Sequence, residues 1–162
     1  MAKLHRLELD SDDGASIDFE PYQEFYPKDE TTAWIRAWTN NPSAEGDAYK
    51  IFGQDGSGGY AAFWMVRSGK PVTEQPIVFF GSEGELGVVA ADFDDYLWML
   101  AGGVGPYEAI AYGVEETDEH EELAAFAQKH APGAKKTPAE VLARAQKEFP
   151  DFEKKVRALV KS

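Results

Sequence analysis

The chain is predicted to be an α+β protein, a mainly antiparallel sheet of four or more strands flanked by helices and ending in a C-terminal αα-hairpin. Three observations predict this class. Four short runs rich in β-branched and aromatic residues fall within residues 49–90, joined by connections too short for the crossover that parallel strands need. An Asp-Gly pair divides the first two runs, as in a tight hairpin. Segments of helical period, several with marked starts and stops, precede and follow the strands.

Taken in order, LHRLELD at 4–10 alternates apolar and polar residues and reads as an edge strand before the SDDG turn. After Pro27, DETTAWIRAWTNN sets Ala33, Trp34, Ala37 and Trp38 on one helical stripe that starts near Asp29 or Thr31 and stops at Asn40-Asn41. YKIFG at 49–53 and GYAAFWMV at 59–66 form a hairpin around Gln54-Asp55-Gly56-Ser57-Gly58, since Asp and Gly both tolerate positive φ. A loop, SGKPVTEQ at 68–75, leads to the third strand, PIVFF, and GSEG turns the chain into the fourth, ELGVVA.

Asp92 can cap the next helix, with Asp95 near its positive end and Gly102-Gly103 as its stop. Phe93, Tyr96, Leu97 and Leu100 make its apolar face; Trp98 and Met99 lie off that face, either as a second core contact or at the surface. TDEHEELAAFAQKH at 117–130 has an acidic first turn and Lys129 and His130 in its last, and Pro132-Gly133 ends it. Thr137, Pro138 and Glu140 then supply an N-cap, a first-turn proline and a capping box. After the break at Phe149-Pro150-Asp151, the final helix can pack Phe152, Val156, Leu159 and Val160 on Val141, Leu142 and Ala145.

A chain of 162 residues, 43% hydrophobic and 13% aromatic, has the size and composition of one packed domain. The expected organisation is a body over 1–131 and a basic helical extension over 132–162 packed on it. Without cysteine there is no thiolate nucleophile, no Cys-based zinc site and no disulfide, which fits a reducing, cytoplasmic setting. No apolar run approaches the ~18 residues of a membrane span, and the first residues lack a signal-peptide core, so no membrane association is expected. The net charge of −13 is uneven: residues 1–127 hold 25 acidic and 7 basic residues, residues 128–162 hold 4 acidic and 9 basic. An acidic body disfavours direct nucleic-acid binding and steers cationic partners toward itself.

Candidate chemistry is sparse. GQDGSGG at 53–59 lacks the Lys-Ser/Thr of a phosphate loop and runs into a strand instead of a helix, so it reads as a hairpin turn. Glu83 and Glu85 share a face if extended, and Asp92, Asp94 and Asp95 follow; such carboxylates can hydrolyse glycosides or hold a hard cation. The glycines of GSEGE mark a turn, however, and no DxDxDG loop occurs, which favours an exposed acidic surface for a partner. His5, His120 and His130 are too scattered for a metal cluster, and no serine sits in a GxSxG elbow. No catalytic residue, metal or cofactor is expected.

FGQDGSGGYAAFW, followed by PIVFFGSEGELGVVAADFDDYLWMLAGG, resembles the core of the SUKH superfamily, bacterial immunity proteins related to a fungal cell-wall assembly regulator. The similarity spans about residues 50–103. Upstream, Tyr26-Pro27 and Asn40-Asn41 stand where the family has a Leu-Pro entry and an Asn-Gly stop, and 132–162 has no counterpart. The resemblance implies an α+β fold without catalysis that binds a cognate toxin, often a nuclease, and blocks its active site. The expectation is a binding protein that neutralises a basic toxin domain through an acidic face including Glu83, Glu85, Asp94, Asp95 and Trp98, the charges steering and the aromatic anchoring. Alternatives are a regulatory or scaffold module for endogenous proteins and, less favoured, a carboxylate- or metal-dependent hydrolase.

Overall fold

Strands such as IVFF and LGVVA are apolar at successive positions, so both faces of the sheet they build need cover. The computed structural model describes residues 17–114 and 119–161. The strand expected at 4–10 and the first residues of the helix expected from 117 lie outside them. The elements are β1 (Glu20–Pro21), α1 (Lys28–Thr39), β2 (Tyr49–Gln54), β3 (Tyr60–Trp64), β4 (Ile77–Phe80), β5 (Leu86–Ala90), α2 (Phe93–Ala101), α3 (Pro106–Ala111), α4 (Glu121–His130), α5 (Pro138–Glu148) and α6 (Phe152–Arg157). The five strands pair antiparallel in chain order, an α+β meander of the expected class.

One face carries Phe52, Phe63, Ile77, Phe79 and Val89 against α2, α3 and α4. The other carries Tyr49, Ile51, Trp64, Val78, Phe80 and Val88 against Ile35 of α1, Ala145 of α5, and Phe152 and Val156 of α6. Helix α5 packs along β5 and sends Val141 to the first layer and Ala145 to the second, covering the sheet edge that would otherwise offer unpaired backbone groups. Its capping box forms as the sequence indicates, with Thr137 Oγ1 accepting from the Glu140 amide at 3.2 Å and Glu140 Oε1 accepting from the Thr137 amide at 3.2 Å.

Three local expectations are corrected. The buried stripe of α1 is Thr31, Ile35 and Thr39, while Ala33 and Ala37 are exposed and the two tryptophans half-buried. Both threonines bury at little expense because their hydroxyls donate to the carbonyls of Pro27 (2.9 Å) and Ile35 (2.6 Å). In the β2–β3 loop neither Asp55 nor Gly56 takes positive φ; Gly58 does, at 93°. There Asp55 Oδ1 accepts from the Ser57 and Gly59 amides at 3.2 and 2.7 Å, so a side chain organises the turn. Leu159 and Val160 lie past the end of α6 and remain 37% and 43% exposed, leaving Phe152 and Val156 to make the contact.

A bulge in β2 between Ile51 and Gly53 puts Phe52 and Gly53 on one face. A Cβ on Gly53 would stand 2.4 Å from the Phe19 ring, so glycine is what lets the segment before β1 lie down on the sheet. On the opposite face Phe80, 1% exposed, meets Trp34, Trp38, Tyr49 and Phe152 edge-to-face at 4.9, 5.2, 5.2 and 5.9 Å. One ring thereby joins α1, β2 and α6. Phe80→Ala is expected to lower stability by about 3–5 kcal/mol, seen as a lower denaturation midpoint at unchanged slope. Phe80→Leu should lose less than half of that.

Candidate partner-binding site

Strand direction alternates in a meander, so the β2–β3 loop and the β4–β5 turn emerge at one end of the sheet, while α2 begins at the other. Glu83 and Glu85 therefore sit at the turn end. Glu83 is exposed; Glu85 is half-buried, its carboxylate accepting from the Glu83 amide at 3.2 Å and its carbonyl from the Gly81 amide at 2.6 Å. Asp94 is exposed near the start of α2, separated from them by the five residues of β5, roughly 16 Å at the rise of a strand. Burial raises the pKa of Asp94, and Asp92 and Asp95 raise it further.

Asp95 and Trp98 are not surface residues. Asp95 is fully buried, its Oδ1 accepting from Lys136 Nζ at 2.9 Å and its Oδ2 from Arg144 Nη1 at 2.8 Å. Asp92 caps the helix by accepting from the Asp95 amide at 2.8 Å and also contacts Arg144. Trp98 is 4% exposed, donates through Nε1 to the Ala131 carbonyl at 2.8 Å and lies under Lys135, 5.7 Å from its ring centroid. The physical reason is that α2 lies against the sheet on one side and against α4 and α5 on the other. The basic extension thus meets the acids of α2 directly, and Arg67 adds an ion pair to Glu148 of α5. Asp95→Ala should cost about 1–3 kcal/mol, below the usual range for a broken buried pair because Lys136 and Arg144 can regain water. Thermal melting would register that loss.

The turn end holds groups that sequence reasoning missed. Helix α3 is only six residues long; its one advance signal was the Gly105-Pro106 entry. It carries Tyr107 and Glu108, with Tyr112 just beyond its end. Tyr107 and Tyr112 pack edge-to-face at 5.8 Å, and Tyr112 is 71% exposed. Their hydroxyl hydrogen bond, joined by the charges of Glu85 and Glu83, pushes the Tyr107 phenol up to about 12.

Beside α3 a cleft of ≈ 570 Å³ opens between the 17–20 segment, the β2–β3 loop and Glu108. Its carboxylates are Asp18, Glu20, Asp55 and Glu108. Asp18 Oδ1 accepts from the Gly56 amide at 2.6 Å and Glu20 Oε2 from Gln54 Nε2 at 3.1 Å, so both also hold the loop in place. Glu108 folds back over Gly105, where a Cβ would come within 2.6 Å of its Oε2. That oxygen is buried and has no hydrogen-bond partner. Burial raises the pKa of Glu108, its own amide lowers it, and Asp18 and Asp55 raise it. Tyr96 lies beneath, fully buried, edge-to-face with Phe19 at 5.4 Å and Phe52 at 5.5 Å, and its hydroxyl likewise lacks a partner. Burial, then Glu108 and Asp55, raise the Tyr96 phenol well above its ordinary range.

Among the described residues no three carboxylates or histidines come together as a metal site, and no helix is long and apolar enough to cross a membrane. No family model matches the chain, and no curated protein or solved structure matches it at a significant level.

The raised pKa of Glu108 has a pH consequence. A carboxyl that holds its proton more tightly folded than unfolded makes stability fall as pH climbs from the ordinary Glu value, about 4.3, through the folded one. Glu108→Gln should therefore melt at a higher temperature than the parent at pH 7, with the difference closing below about pH 4. An equal or lower melting temperature at pH 7 would contradict this reading of the cleft.

Proposed function

We propose that this chain is a non-catalytic binding protein that captures a basic protein partner on the turn end of its sheet, acting as the SUKH resemblance implies, as an antidote to a cationic toxin domain. The observation that carries the reading is the exposed Tyr112 beside Tyr107, Glu83 and Glu85, with the acid-lined cleft next to it. A largely exposed aromatic ring supplies a rigid apolar anchor, and surrounding carboxylates accelerate encounter with a cationic surface and disfavour anionic competitors. Inhibition by such a protein is occupancy: its acids take the place of nucleic-acid phosphate on the toxin, with no bond made or broken.

Within this reading Glu83 and Glu85 keep the role the sequence suggested and Tyr112 takes the anchoring role first assigned to Trp98. Asp94, at the far end of the sheet, contributes to long-range steering alone.

The test is co-expression with a toxin encoded beside the gene, followed by binding kinetics on the purified pair. Protection of cells together with a direct complex supports the antidote role; absence of both refutes it. Glu83→Lys with Glu85→Lys should slow association about tenfold or more at low salt, flattening its salt dependence. Tyr112→Ala should act mainly on dissociation, weakening the complex by about 1–2 kcal/mol.

A further inference from the structure

The α1 side of the turn end carries a row of half-buried rings. Tyr60 stands opposite Gln54 and Phe80, the last residues of β2 and β4, and so belongs to that end of the sheet. Tyr26 lies 5.6 Å from Tyr60 and 6.5 Å from Tyr22, the planes inclined by 30° and 35°, so the three phenols overlap like tiles. Trp34 of α1 closes the row edge-to-face with Tyr60 at 5.3 Å. Farther along α1, Trp38 donates through Nε1 to the Gly81 carbonyl at 2.9 Å, which ties the row to the turn that carries Glu83. The four rings of the row pack on the face that holds Phe80 and Phe152, yet those two are each 1% exposed while the row keeps part of its surface in water. Tyrosine and tryptophan suit such a boundary, because one end of each is apolar and the other polar.

The row is held in place before any partner arrives. The Tyr22 and Tyr26 amides donate to the carbonyls of Phe52 and Ile51 at 2.7 and 2.9 Å, and the Tyr22 hydroxyl donates to Gln54 Oε1 at 2.7 Å. Rings fixed in this way lose little freedom on binding. Carboxylates edge the row, Glu20 acting on Tyr22 and Glu30 on Tyr26, and both acids are exposed. Burial pushes the Tyr22 phenol up to about 12, and Tyr60, Glu20 and Tyr26 add to the effect. Neither acid enters an ion pair among the described residues; Lys28, which stands between Tyr26 and Glu30 in the chain, pairs with Asp47 at 3.3 Å. Negative ring faces edged by unpaired carboxylates attract a cation, and the same rings pack the methylene stem that carries it.

We propose that the row of Tyr22, Tyr26, Tyr60 and Trp34 is a second anchoring surface of the binding face, and that it takes a cationic side chain of the partner, a lysine or an arginine, across its rings. The inference rests on the reading of the turn end as the binding face. It adds a contact on the layer opposite Tyr107 and names the chemistry that contact selects.

The probe is tetramethylammonium chloride titrated into the folded full-length chain and followed through its aromatic ¹³C–¹H signals, with sodium chloride and tert-butyl alcohol, the same shape without the charge, as parallel arms. Expected are saturable shifts at Tyr22, Tyr26, Tyr60 and Trp34 with tetramethylammonium, binding at least about fivefold weaker with the alcohol, and no such shifts with sodium chloride. Tyr26→Leu should weaken the cation about fivefold, whereas Tyr26→Phe, which keeps the ring, should stay within about twofold of the parent. Glu30→Gln, at an exposed position that leaves the fold alone, should weaken it about twofold to threefold, and Tyr112→Ala should leave it unchanged. The proposal is overturned by an equal response to the alcohol, by shifts scattered over the whole acidic surface, or by unchanged affinity in both Tyr26→Leu and Glu30→Gln. With the toxin encoded beside the gene, Tyr26→Leu should speed dissociation about tenfold. A complex that Tyr112→Ala weakens and Tyr26→Leu does not would overturn the second anchor while leaving the antidote role standing; absence of any complex refutes that role and leaves the cation surface to stand or fall on the tetramethylammonium response.

Discussion

The buried carboxylate of Asp95 governs how charge is distributed over this molecule. A fully buried aspartate without partners would be untenable, and two cations from the C-terminal extension, Lys136 and Arg144, supply them. Satisfying Asp95 brings α5 against α2 and along β5, and from there α6 reaches the opposite face of the sheet. The extension is therefore part of the domain's packing, and its positive charge is partly consumed inside the molecule.

That arrangement leaves the two ends of the sheet electrostatically unlike. At the α2 end Asp92 and Asp95 are engaged with the extension, and Lys135 and Lys155 rest on the rings of Trp98 and Trp64. At the turn end Glu83 is exposed, and the Glu108 oxygen is buried without any partner. An acidic composition alone would suggest attraction for cations over the whole surface; at the α2 end part of that charge is paired within the molecule. The turn end also carries Tyr112, 71% exposed, beside Tyr107, Glu83 and Glu85, and that combination supports the proposed capture of a basic partner.

How much of this was legible in the sequence follows from the range over which each feature is determined. β2 to β5 and the caps at Asp92 and Thr137 depend on residues a few positions apart, and they were readable. The fate of Asp95 was not, because its partners lie 41 and 49 residues away; FDDYLWMLA signals only the second core contact that Trp98 and Met99 do make. Trp98 misled for the same reason, since the carbonyl that receives its N–H belongs to Ala131. The α1 stripe misled because threonine reads as polar until its hydroxyl is seen to bond within its own helix. The cleft is assembled from the 17–20 segment, the β2–β3 loop and a helix of six residues, so no single stretch of sequence carries its pattern.

The central claim is that Asp95, at the α2 end, is held inside by the cations of the extension while Glu83, at the turn end, stands exposed. Carbodiimide-driven coupling of glycine ethyl ester to the native chain, quantified residue by residue by mass spectrometry, measures this directly. Glu83 should label quickly and Asp95 should stay unlabelled until the protein unfolds. Labelling of Asp95 at a rate comparable to Glu83 under native conditions would contradict the account.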